Sequence, residues 1–135
     1  FSRACPLFVP IAEEGLEEDE IANLTARKYL TEFEAFDIDT LVMGCTHYPI
    51  LEQAIRSVIG KRINIVNAGR ETAKEIRNIL EKRNILNHRG KGGCEYFVTD
   101  SPESFAEIGG RILKEPLAKI KSLKNLDYKD YLLSS

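Results

Sequence analysis

Apolar positions in this chain fall into short unbroken runs separated by longer stretches in which they recur every three or four residues. That alternation is the pattern of strands and amphipathic helices in turn. Runs at Leu7 to Ile11, Leu41 to Gly44, Ile63 to Val66 and Glu95 to Thr99 predict strands, the first of them ending in the acidic loop Glu13-Glu14-Gly15. Between them, Glu17 to Phe36 predicts a long helix facing inward through Ile21, Leu24, Leu30 and Phe33. Leu51, Ala54, Ile55, Val58 and Ile59 mark a second helix, entered at Pro49 and stopped by Gly60. Ala73, Ile76, Ile79 and Leu80 mark a third over Glu71 to Arg83, and Phe105, Ile108, Ile112 and Leu113 a fourth. The fourth begins at Ser101-Pro102-Glu103, a cap followed by a proline suited to the first turn, and its Gly109-Gly110 pair costs roughly 1 kcal/mol per glycine relative to alanine. From Pro116 the pattern weakens to a short amphipathic helix and a loosely held tail. Strand and helix in strict alternation is an α/β order with mostly parallel sheets.

Composition narrows the function classes. A net charge of -2 gives no electrostatic footprint for nucleic acid or anionic lipid. The longest apolar runs are too short to cross a bilayer, and no basic-then-apolar leader is present, so a cytoplasmic location is expected. Cys5, Cys45 and Cys94 form no Cys-x-x-Cys spacing and read as reduced thiols rather than a disulfide framework or a zinc ribbon.

The stretch Leu41-Val42-Met43-Gly44-Cys45-Thr46-His47-Tyr48-Pro49 carries the candidate chemistry. An apolar strand ended by glycine delivers a thiol, a hydroxyl and an imidazole at its carboxyl end, where α/β sheets place ligands. A thiol near a helix start and an imidazole has the setting in which its pKa falls, which suits it to proton transfer. The alternatives for these residues are a buried core cysteine, a structural histidine, a Cys45–His47 metal pair, or a cysteine hydrolase. Thr46 either binds a ligand or caps the helix that follows. The basic cluster Lys82, Arg83, Arg89 and Lys91 lacks the spacing of a phosphate loop and reads as ordinary helix-end charge.

Gly44-Cys45-Thr46-His47-Tyr48-Pro49 after Asp39-Thr40-Leu41-Val42 resembles the second active-site motif of the glutamate racemases, within the aspartate/glutamate racemase family. Ala4-Cys5-Pro6-Leu7-Phe8-Val9-Pro10-Ile11-Ala12-Glu13-Glu14-Gly15 and Tyr96-Phe97-Val98-Thr99-Asp100-Ser101-Pro102-Glu103-Ser104-Phe105 resemble the same family. The resemblance implies cofactor-independent interconversion of L- and D-glutamate, without a metal, supplying D-glutamate for peptidoglycan. It implies that Cys45 is one of two thiols that exchange the α-proton, that His47 and Glu13 support it, and that Thr46 and His47 contact substrate. Taken by themselves, Glu13 and its neighbour Glu14 read equally well as solvated loop acids. Cys5 and Cys94 are placed unlike Cys45 and read as structural.

The chain begins Phe1-Ser2-Arg3, and its only methionine is Met43. Together with the family's mid-chain position for the Ala-Cys-Pro motif, this suggests the C-terminal half of a longer protein. The expected organisation is 1–68 as the end of the second racemase domain, 69–115 as a return to the first, and 116–135 as a tail. Asn67-Ala68-Gly69 would be the crossing point, and it departs from the Asp-Ser pair common there. The family's first catalytic cysteine loop does not occur, so racemisation by the chain alone is not expected. Expected partners are L- and D-glutamate and the N-terminal half of the same enzyme, with a homodimer compatible and neither nucleic acid nor membrane. The alternative functions are a non-catalytic binding module of the same fold or a racemase for another amino acid.

Overall fold

The computed structural model describes residues 1–89 and 92–123. The chain divides into two compact units, 1–88 and 89–135.

In the first unit, α1 (Phe8–Glu13) and α2 (Glu20–Leu30) are followed by a 3-10 turn (Thr31–Ala35), strand β1 (Thr40–Met43), a second 3-10 turn (Tyr48–Leu51), α3 (Glu52–Ile59), β2 (Asn64–Asn67) and α4 (Ala68–Lys82). β1 and β2 pair in parallel, with Thr40 opposite Asn64 and Met43 opposite Asn67. A parallel pair needs a crossover, and α3 supplies it. The apolar face predicted for α3 is the one observed: Leu51, Ala54 and Ile55 are buried, and Gly60 ends the helix at a φ of 74° that favours glycine. The core gathers Phe8, Ile11, Ala22, Ala26, Met43 and Ile55 among others.

In the second unit, β3 (Tyr96–Val98) and β4 (Ile120–Ser122) form another parallel pair, joined through α5 (Pro102–Leu113). Ser101 caps α5 as its sequence predicts, its side chain accepting from the Ser104 N–H, with Pro102 in the first turn. Leu117 packs so close to Gly109 that a Cβ there would lie 2.6 Å from Leu117 Cδ1. The glycine that weakens the helix therefore makes room for the segment that follows it.

The structure corrects several expectations. Leu7 to Ile11 is no strand but the start of α1, because Phe8, Ile11 and Ala12 are buried at helical spacing. Pro10 is tolerated there because first-turn N–H groups have no intrahelical partner. The long helix over Glu17 to Phe36 is shorter, capped by Asp19, and its buried face is Ala22, Thr25, Ala26 and Leu30. Ile21 and Leu24 are exposed; small residues take the inward row where α2 packs on α3. The segment after Pro116 leads into β4 (Ile120–Ser122) rather than forming a helix, and the remainder of the expected tail, 124–135, lies outside the described residues, as do Gly90 and Lys91 of the basic loop.

Two helix faces expected to be buried are not. In α4, Ala73, Ile76 and Ile79 are exposed and Leu80 is half-buried, and no α4 residue is buried. In α5, Phe105, Ile112 and Leu113 are exposed and Ile108 is half-buried. Both helices are amphipathic, but their apolar faces meet no covering layer among the described residues. At Asn67-Ala68-Gly69 the chain passes from β2 into α4, with the Asn67 side chain accepting from the Arg70 N–H at 3.1 Å.

Candidate active site

The site begins where β1 runs out. Met43 is buried and anchors the strand end. Gly44 and Cys45 lead into a tight turn in which the Tyr48 N–H donates to the Cys45 carbonyl at 3.2 Å and the Ile50 N–H to that of His47 at 3.0 Å. Pro49 sits in the first turn of the short 3-10 segment that runs on into α3, the strand-turn-helix elbow its position suggests. The turn holds Cys45 half-buried, Thr46 exposed and His47 half-buried. His47 occupies the cap position without a side-chain cap bond, and Thr46 precedes it in the turn.

Three side chains line up here. His47 Nε2 lies 3.1 Å from Glu13 Oε1, and His47 Nδ1 lies 3.9 Å from Cys45 Sγ. Glu13 arrives from the last residue of α1, so the corrected fold of Leu7 to Ile11 is what brings it: a helix, not a strand, ends beside His47. With Nε2–H donating to the carboxylate, Nδ1 is left as the acceptor facing the thiol. Such a carboxylate-imidazole-thiol line can orient the ring and pass a proton to or from sulfur. Thr46 stands next to it, with its side chain exposed. Glu14, equally eligible in sequence, caps α1 through its backbone, its N–H bonding to the carbonyls of Ala12 and Pro10.

The other cysteines differ. Cys5 is buried, its Sγ donates to the Arg3 carbonyl at 3.7 Å, and burial pushes its thiol up to about 11. A thiol held protonated in this way is inert. Cys94 is exposed. Its thiol beside the Tyr96 hydroxyl raises the tyrosine's pKa. No group of three or more His, Cys, Asp or Glu side chains among the described residues is arranged to hold a metal. Nor is any described helix long and apolar enough to cross a membrane.

A cleft of about 410 Å³ opens beside Cys45, between Phe1, Ser2 and Arg3 and the β1 strand. Its lining is largely apolar, with Val42, Met43, Phe8 and Tyr48 prominent, and His47 and Glu13 are not part of it. Tyr48 is the residue sequence reasoning passed over. Its hydroxyl accepts from the Cys5 N–H at 3.0 Å and its ring meets Phe8 edge-on at 5.4 Å. Its place between His47 and Pro49 in the motif was the available signal.

Fold and site together define an α/β chain that presents a cysteine, a histidine and a carboxylate in line at the carboxyl end of a parallel strand. No protein-family model matches it. Glutamate racemase from Geobacter metallireducens is 43% identical over 120 residues, which is 88% of this chain and 44% of that protein. The crystal structure of glutamate racemase from Thermus thermophilus in complex with beta-chloro-D-alanine superposes with a TM-score of 0.80 at 40% identity, covering 92% of this chain and 48% of that one. That of the Francisella tularensis glutamate racemase in complex with D-glutamate gives a TM-score of 0.79 at 29% identity, over 90% and 46%. The chain is similar to glutamate racemases along most of its own length, and it spans less than half the length of these relatives.

Proposed function

We propose that this chain is the C-terminal part of a glutamate racemase and carries one side of its active site. Cys45 is the group that takes the α-proton from L-glutamate on one face of the α-carbon and, in the reverse direction, returns a proton to that same face to complete L-glutamate. His47, steadied by Glu13, accepts and hands back the thiol proton, and Thr46 with His47 holds the substrate. The observation that carries this reading is the Glu13–His47–Cys45 line, at 3.1 and 3.9 Å, in a chain similar to glutamate racemases. The chemistry needs no cofactor, since a thiolate poised on one face of the α-carbon and a second acid on the other suffice.

Racemisation needs a donor on each face, and an α-amino dicarboxylate needs more hydrogen-bond donors than the largely apolar cleft beside Cys45 offers. The second thiol and those donors belong to the N-terminal part, and the chain alone is inactive. On this reading 1–68 closes the second domain and 69–115 returns to the first, which accounts for the exposed apolar faces of α4 and α5. The enzyme is cytoplasmic and supplies D-glutamate for peptidoglycan. The test is complementation: the chain is co-expressed with the N-terminal part of the Thermus thermophilus relative, and conversion of L-glutamate is followed by chiral chromatography. Conversion that disappears with Cys45→Ser supports the proposal; conversion that persists overturns it.

A further inference from the structure

Glu13 and His47 lie 34 positions apart, on a six-residue helix and a loop, yet their side chains meet within hydrogen-bonding distance. Something must fix the helix against the loop. The contact is not made through buried charge, since both side chains are partly exposed. It depends on where the backbone of α1 is held.

The start of α1 is clasped from two sides. The Phe8 ring is buried between Tyr29 of α2, at 5.6 Å and 90°, and Tyr48 of the Cys45 turn, at 5.4 Å and 88°. Each tyrosine also takes a backbone proton: Tyr48 from Cys5 at 3.0 Å, and Tyr29 from Leu7 at 3.4 Å. Only the first of these joins α1 to the turn that carries the thiol. Tyr48 is bonded to that turn as well, through its own N–H to the Cys45 carbonyl.

We propose that Tyr48 is a positioning residue for the Cys45 site: by tying the start of α1 to the Cys45 turn it holds Glu13, at the other end of that helix, against His47. This rests on the reading of Cys45 as the working thiol. A helix of this length is about 9 Å long, so a tilt of ~6° at its start carries its far end ~1 Å away. That is enough to turn a 3.1 Å contact into none. The Ala-Cys-Pro stretch gains a role at the same time, because its Cys5 N–H is the donor that Tyr48 captures.

The test is a double-mutant cycle read at the thiol. With Glu13 accepting the Nε2 proton, His47 presents Nδ1 to the Cys45 thiol and can take its proton as the sulfur attacks. The 135-residue chain is treated with iodoacetamide at neutral pH, and the rate at Cys45 is followed by peptide mass spectrometry, which separates it from Cys5 and Cys94. Glu13→Gln, which loosens the orientation of His47, is expected to slow Cys45 by ~3-fold or more in the parent chain, and to have no further effect in Tyr48→Phe, since coupled residues are not additive. Tyr29→Phe is the matched control: it loses an equivalent hydroxyl on the other side of Phe8 and should leave the full Glu13 effect in place. A Glu13 effect that persists undiminished in Tyr48→Phe overturns the proposal. So does its loss in Tyr29→Phe, which would make the clasp merely structural, and so does its absence from the parent chain. No glutamate is used, so failure of racemisation and failure of positioning are read separately.

Discussion

Truncating Phe8 should damage both the core and the site. Its ring is 1% exposed and is held edge-on by Tyr29 and Tyr48. Removing it loses the transfer energy of the ring and leaves a cavity, because neither tyrosine can swing in without giving up its bond to the backbone just before α1. Phe8→Ala is therefore expected to cost about 3–5 kcal/mol, a large share of the ~5–15 kcal/mol that keeps an ordinary domain folded. Phe105 is the comparison. It is 38% exposed and touches Tyr96 at 5.6 Å in a tilted arrangement, so Phe105→Ala should cost about 1 kcal/mol. Urea denaturation gives the totals, and hydrogen exchange read by peptide assigns them: protection should fall in α1, α2 and α3 for Phe8→Ala and around β3 and α5 for Phe105→Ala. If Phe8→Ala leaves too little folded chain, Phe8→Leu should show the same pattern at about half the cost. Equal losses for Phe8 and Phe105, or a loss below about 1 kcal/mol at Phe8, would refute the assignment of α1 as part of the core.

Two further outcomes are expected. Cys5 has its thiol raised from 9.0 to about 11 by burial, so the folded chain keeps a proton that the unfolded chain releases. Its contribution to stability is full below about pH 9 and is lost as the pH rises to about 11; urea midpoints should fall across that window, and the part of the fall due to Cys5 should vanish in Cys5→Ala. Ser101 accepts from the Ser104 N–H at 3.2 Å, so Ser101→Ala should remove about 1 kcal/mol from the second unit and increase hydrogen exchange in the first turn of α5.

What the sequence disclosed depended on whether the deciding contact was local. α3 was legible from Leu51 to Gly60 because its inward row is made of large apolar residues and a glycine stops it. The Ser101 cap was legible because cap and proline are adjacent in sequence. α1 was misread because five apolar residues in a row fit a strand or a helix, and only the burial of Phe8, Ile11 and Ala12 separates the two. The inward face of α2 was misread because alanines and Thr25 are weak signals beside Ile21 and Leu24. β4 could not be seen, since its three residues become a strand only by pairing with β3. In the site, Cys45, Thr46 and His47 came from one local motif. Glu13 came from family resemblance alone, and Tyr48 was overlooked because its partners, Cys5 and Phe8, are remote in the chain.

The central claim is that Cys45 handles the proton on the L-side of glutamate. The most direct measurement is deuterium incorporation at the α-carbon of L-glutamate in D2O, followed by proton NMR, with the chain complemented by the N-terminal part of the Thermus thermophilus relative. Exchange should be rapid with Cys45 and absent with Cys45→Ser. Exchange from L-glutamate at the parental rate in Cys45→Ser would contradict the account.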